Sequence, residues 1–339
     1  MQSIRRRRFA WFPGLSLAAA LAAVAHLLGP AAKPLPDVVI GLLLGVAVRS
    51  ALGDIAPILA PGIALTLKYV LRTAIILLGS GLSVAVVLET GSRTLAVIIT
   101  CVIVAMLLGI SLSRLFRLPG VVGTLIGAGT AICGGTAILT IAPLTRATDE
   151  EVAYALTTIF TFNIIALLTY PWLGHMLGLS STAFGSWAGT AVNDTSVVVA
   201  TGYVYSNAAG AVATIVKLTR TVLLVPLAVL VGFWYAGSPP VAKAQRGVWS
   251  RTRASTPWFI FGFVAMASLN SLGLLPATVV HTLTTTATFL IVVVLVAVGL
   301  NVDIRQLARM GLRPLVVGLL LASIMALCSF GLIDALKIG

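Results

Sequence analysis

Apolar runs of about 20 residues recur from one end of this sequence to the other, and they narrow its possible folds more than any other feature. A run of that length crosses the hydrocarbon core of a bilayer as a helix. Lipid satisfies no backbone N–H or C=O, so only helices and closed barrels span it. The runs are continuous rather than alternating, which excludes a barrel. A soluble core is excluded by amount: of 339 residues, 59% are hydrophobic and 9% charged, with a mean hydropathy of +1.10. The expected fold is all-α, a polytopic integral membrane protein of about eleven transmembrane segments. Breaks at Pro, Gly and charge clusters place them at 9–28, 36–51, 62–88, 94–113, 121–142, 152–174, 183–203, 208–236, 256–275, 277–300 and 314–336.

The formal charge of +13 raises the question of nucleic acid, but the basic residues sit in short loops between apolar runs, a distribution that sets membrane orientation instead. With the N-terminus inside, the cytoplasmic side collects Arg5 to Arg8, Arg49, Arg114, Arg117, Lys243, Arg246, Arg251, Arg253, Arg305, Arg309 and Arg313. The other side receives Lys33, Arg93, Arg146 and Lys337 with Glu89, Asp149, Glu150 and Glu151. The expected topology is N-inside and C-outside, and it survives whether segments five and seven both cross or both re-enter. Arg5 to Arg8 before Phe9–Leu28 imitate a secretory signal. No small-residue cleavage site precedes Gly29-Pro30 and many spans follow, so a retained first helix is expected. Residues 1–339 read as one transmembrane domain: 1–237 carries eight segments, 238–256 is a cytoplasmic linker with Pro239-Pro240, and 257–339 carries three.

Two internal similarities suggest repeats. Ala128-Gly-Thr-Ala-Ile-Cys-Gly-Gly-Thr136 aligns with Ala188-Gly-Thr-Ala-Val-Asn-Asp-Thr-Ser196 at an offset of 60. More weakly, Leu78-Gly-Ser-Gly-Leu-Ser83 aligns with Val298-Gly-Leu-Asn-Val-Asp303. The first pair falls in segments five and seven, whose Gly, Thr and Asn/Asp content predicts interrupted helices. Half-helix N-termini attract anions, and exposed carbonyls hold cations. The competing reading is close helix packing by small residues, which also permits a homodimer.

Asp194 is a carboxylate within an apolar span, and it reads either as a helix N-cap or as a site residue that couples protons or sodium. Lys217 and Arg220 lie three residues apart on one face of segment eight, either snorkelling to the interface or holding an oxyanion, with Lys217 neutralising Asp194 and Arg220 gripping bidentately. The expected anion-binding set is Lys217, Arg220, Thr130, Cys133, Gly134, Gly135, Thr136, Thr190, Asn193, Thr195 and Ser196, with Asp194 coupling the ion. Lys68 and Arg72 form a second cationic pair nearer an interface, and His26, His175 and His281 read as interfacial. Cys101, Cys133 and Cys328 have no metal or disulfide spacing. Nothing assembles a catalytic constellation, a metal site or a cofactor site, so an enzyme is not expected.

Gly129-Thr-Ala-Ile-Cys-Gly-Gly-Thr-Ala-Ile138, Gly189-Thr-Ala-Val-Asn-Asp-Thr195 and Ala213-Thr-Ile-Val-Lys-Leu-Thr-Arg220 with Pro226 resemble the YeiH-like sulfate exporter family over nearly the whole chain. The resemblance implies a bacterial inner-membrane transporter related to the cation:proton antiporter and anion transporter superfamily, with inverted repeats and discontinuous helices. Asn193 and Val197 depart from its pattern, which has His and Gln there. The function expected is secondary active transport of a small anion such as sulfate or an organosulfonate, by alternating access with proton or sodium coupling. Cation/proton exchange through Asp194 and Lys217, and an anion channel, are the alternatives.

Overall fold

The computed structural model describes residues 11–29, 36–52, 56–118, 121–235, 258–301 and 312–338. Within them the chain is all-α, and the apolar runs foreseen above fall on helices or interrupted pairs, except that the run 62–88 stops at a 3-10 turn at Gly79–Gly81 and its last residues open the next helix. In chain order these are α1 (Phe12–Leu28), α2 (Asp37–Leu52), α3 (Ala56–Leu65), a π-turn (Thr66–Val70), α4 (Leu71–Leu78) and a 3-10 turn (Gly79–Gly81). There follow α5 (Val84–Leu115), α6 (Val122–Ala131), α7 (Gly135–Thr145), α8 (Asp149–Met176), α9 (Ser181–Ala191) and α10 (Thr195–Tyr205). The last are α11 (Asn207–Val222), α12 (Leu224–Tyr235), α13 (Phe259–Ser271), α14 (Ala277–Asn301) and α15 (Leu312–Ala335). Six stretches among the described residues are long and apolar enough to cross a bilayer: 57–81, 84–115, 149–176, 207–235, 277–301 and 315–335. The expected linker at 238–256 lies outside the described residues.

The boundary signals are local. Thr148 and Glu151 form a reciprocal capping box that starts α8, and Ser180 and Ser206 cap α9 and α11. The α11–α12 interruption at Leu223 sits three residues before Pro226, which supplies no backbone N–H to the preceding turn.

The chain divides into two compact units, residues 1–87 with 259–308 and residues 88–258 with 309–339. In the first, α14 packs along α2 so closely that a Cβ on Gly45 would lie 2.4 Å from the Val296 carbonyl oxygen. The weaker repeat pair belongs here. Its first copy ends a helix in the 3-10 turn at Gly79–Gly81, whereas its second remains helical to Asn301, and Val302 and Asp303 lie outside the described residues.

The second unit is organised around α8, 28 residues and therefore about 42 Å long. The pair α6–α7 folds back beside it as a hairpin. At its base the Val121 amide donates to Glu151 Oε1 at 3.2 Å, at the start of α8. Further along, Gly129 and Gly134 both face Ile159, while Gly135 faces Leu156 and Phe160. Thus α6 runs with α8, α7 runs against it, and the turn at Ile132–Gly134 reaches only to Ile159, about 12 Å from the base.

The pair α9–α10 is a second hairpin, docked from the other end of α8. Ser181 and Ser206 share a hydrogen bond of 2.8 Å at its base, and Phe184 stacks on Tyr205 with ring centroids 3.9 Å apart. Gly174, near the C-terminus of α8, meets both of those rings. The turn at Val192–Asp194 reaches Asn163, whose Oδ1 accepts from the Asn193 amide at 3.0 Å. Two similar hairpins thus approach from opposite ends of one spanning helix and meet tip to tip at its middle, an inverted pair.

Segments five and seven therefore each double back at the middle of α8 instead of running its length. This corrects the expected loop sides: Arg146, Asp149, Glu150 and Glu151 lie at the same end of the unit as Val121, and so with Arg114 and Arg117, rather than opposite them. The physical reason is that two half-length apolar helices sum to one span-length run. A Ser181→Cys/Ser206→Cys double variant tests the hairpin. It should form an intramolecular disulfide under mild oxidation, detected as a reducible mobility shift. If α9–α10 crossed the membrane the two positions would stand about 35 Å apart and no such bond would form.

Candidate functional site

The stronger repeat is realised residue for residue. Helices end at Ala131 and Ala191, resume at Gly135 and Thr195, and end again at Thr145 and Tyr205, each pair at the offset of 60. Gly134 permits the first turn, with φ +57°, a conformation L side chains rarely adopt. A Cβ on it would lie 3.5 Å from the Asp194 amide, so the two tips touch.

Each break leaves carbonyls at a half-helix C-terminus without intrahelical partners, deep in a region where water is scarce. Lys217 and Arg220, both 0% exposed, supply the donors from α11. The ammonium of Lys217 donates to the Ile132 carbonyl at 2.7 Å, to Val192 at 3.3 Å and to Asn193. The guanidinium of Arg220 donates through Nε to Ala131 at 2.6 Å, through NH1 to Thr190 at 2.7 Å and Val192 at 3.3 Å, and through NH2 to Thr130. Both cations bridge the two tips. The bidentate oxyanion grip foreseen for Arg220 is not the arrangement present: its donors face main-chain oxygens at the half-helix C-termini, which carry partial negative charge. Nor do Lys217 and Asp194 form an ion pair; ion pairs elsewhere include His26–Asp37 and Glu89–Arg93.

The half-helix N-termini differ from each other. Asp194 caps α10, its Oδ1 accepting from the Ser196 amide at 2.9 Å and from the Ser196 hydroxyl. The N-terminus of α7 begins at Gly134 with no side-chain cap, and Thr136 beside it is exposed. Thr195 and Asp194 are half-buried, so this face of the tips is open while the carbonyl face is sealed. Of the remaining expected residues, Thr130, Cys133, Gly135, Thr190 and Asn193 are buried at the tips. Thr190 turns its hydroxyl back to Ser186 and Trp187, contributing its carbonyl to Arg220 instead.

Asn163 was not in the expected set. It is 1% exposed, its Oδ1 holds the amides of Asn193 and Asp194 at 3.0 and 3.2 Å, and its Nδ2 has no hydrogen-bond partner. The buried Asn193 Oδ1 is likewise unpaired. A lone amide in an otherwise apolar span is the sequence signal that could have found Asn163. Lys68 and Arg72 belong to the other unit, lying over the rings of Tyr69 and Phe259. His175 stacks on Tyr205 at the base of the second hairpin. Among the described residues no group of three or more His, Cys, Asp or Glu gathers to hold a metal.

Comparison with known proteins extends this picture. The family model described as "Conserved hypothetical protein 698" matches residues 13–318. The chain is similar to a UPF0324 membrane protein of Clostridium tetani, 37% identical over 284 residues that cover 80% of this chain and 82% of the relative. It is similar to one of Streptococcus agalactiae, 36% identical over 315 residues covering 90% and 92%. It is also similar to one of Bacillus cereus, 32% identical over 334 residues covering 98% and 94%. No solved structure matches.

Proposed function

This chain belongs to the conserved hypothetical protein 698 family of UPF0324 membrane proteins, and from that premise we propose that it is a secondary transporter of a small anion. The observation that carries this reading is the charge balance at the tips. Within 122–145 and 152–222, which cover the hairpins, α11 and nearly all of α8, Lys217 and Arg220 stand against a single carboxylate, Asp194. The helix-end partial charges, about half a unit each, cancel across the two hairpins, so about one positive charge remains. It lies behind the one half-helix N-terminus that has no acidic cap, that of α7. A small anion at Gly135 and Thr136, with Thr195 and Asn163 adjacent, balances it and offers acceptors to free N–H donors.

Opposed hairpins that meet at mid-membrane suit alternating access, because one site then lies at similar depth from both sides. Asp194, half-buried and next to that site, is the group that takes up a coupling proton or sodium ion. Lys217 and Arg220 act in this reading as the source of positive potential, without touching the ligand. The resemblance noted above directs the search to tetrahedral oxyanions, sulfate and organosulfonates first, and to a bacterial inner membrane with the N-terminus cytoplasmic.

Purified protein reconstituted in liposomes tests the proposal. Saturable, counterflow-competent uptake of a labelled oxyanion is expected, together with a rise in melting temperature on adding that ion, since a ligand that binds only the folded state stabilises it. Non-saturating flux would indicate a channel. Proton release driven by sodium or potassium with no anion requirement would replace anion transport by cation/proton exchange.

A further inference from the structure

We infer that this chain carries, as Lys217 and Arg220, the cations that the carbonyl ends of discontinuous helices otherwise take from solution, so the tips bind no sodium ion. Resting on the transport reading above, the inference further leaves the proton as the coupling ion.

Half-helix C-termini in a bilayer bear partial negative charge and unsatisfied oxygens, which is why unwound segments in transporters coordinate sodium. Here six such oxygens, those of Thr130, Ala131, Ile132, Thr190, Val192 and Asn193, converge from two hairpins, and every one accepts from Lys217 or Arg220. An ammonium has three N–H donors, and Lys217 uses all three on these carbonyls, as a free monovalent cation would use its coordination shell. The guanidinium fills the rest of the cluster from one turn further along α11. Both are fully buried, so they hold these positions permanently rather than as exchangeable ligands. A sodium ion entering the same oxygens would have to displace an ammonium tethered a few ångströms away and would meet two full positive charges at low dielectric.

The site is thus a cation nest with a covalently attached occupant. Occupancy cannot vary with the sodium gradient, and the positive potential behind the anion site is constant through the cycle. What can vary is the occupancy of Asp194, on the open face of the same tips.

Calorimetric titration of the purified wild-type chain with sodium chloride, against choline chloride at equal ionic strength, should show no saturable sodium binding; a saturable isotherm overturns the inference. In Lys217→Ala the vacated nest should accept n-propylammonium, which replaces the deleted atoms. That ion should raise the melting temperature of the variant but not of the wild type, and equal shifts for both would count against the nest. If the variant does not fold, the wild-type titration decides alone. In liposomes the initial rate of anion uptake should be the same in sodium and choline, and sodium stimulation would refute the coupling assignment. Absence of anion flux under every condition would remove the transport reading while leaving the titration to judge the nest.

Discussion

Arg220→Ala is expected to destabilise the protein by about 3–5 kcal/mol, the range for removing one partner of a buried charged network. The substitution leaves the carbonyls of Thr130, Ala131 and Thr190 without their donor, each such buried orphan costing about 1–3 kcal/mol, and it uncouples the two hairpin tips. Thermal denaturation in detergent, read as loss of the monodisperse peak, measures the effect. Arg220→Lys keeps the charge but has three donors where the guanidinium has five and no planar fork, so it should recover only part of the lost stability. The outcome that contradicts this account is an Arg220→Ala protein that melts with the wild type and has lost only its response to the anion. That pattern belongs to a side chain gripping substrate, not one bridging carbonyls.

Asp194→Asn is expected to behave oppositely, leaving stability within about 1 kcal/mol of the wild type while abolishing anion accumulation driven by a pH gradient. Asparagine caps a helix about as well as aspartate, so the contact to the Ser196 amide persists and α10 keeps its start. The carboxylate, however, is gone. Downhill exchange of labelled for unlabelled anion should continue, because the positive charges behind the site are untouched. Accumulation that still follows the pH gradient in the variant would remove Asp194 from coupling and leave it only the cap.

These two substitutions also mark where sequence reasoning stopped. Glycines around Cys133 and the Asn193-Asp194 pair disclosed the helix breaks, because they are the residues that free or compete with helical backbone, and the offset of 60 disclosed that the breaks are related. The direction of the chain after each break was not legible. Both halves of each hairpin are apolar and buried against neighbours, so hydropathy reads one crossing where there are two half-depths. The contact that reveals the return, the Val121 amide on Glu151, joins residues 30 apart across the whole first hairpin. The partners of Arg220 are as remote, 89 and 30 residues upstream at Ala131 and Thr190, and nothing in the composition of α11 names them.

Charged residues misled at one boundary for an equally physical reason. The cluster Glu89 to Arg93 was read as a loop between segments three and four, yet α5 runs through it from Val84. Glu89 and Arg93 are four residues apart and pair at 2.9 Å on an exposed helical face, so the charges decorate a helix instead of ending one. The actual stop is the 3-10 turn at Gly79–Gly81.

That both tips draw on the same short stretch of α11 has a consequence for how the chain is made. The hairpins at 121–145 and 181–205 are synthesised before Lys217 and Arg220. At a synthesis rate of about 5–20 residues per second, the first hairpin waits on the order of ten seconds for its counter-charge. During that interval its carbonyl ends are unsatisfied and its tip has no fixed depth in the bilayer. Insertion of α11 is therefore the event that sets both hairpins at once, and a chain halted before residue 217 holds two unfinished ends rather than half a site.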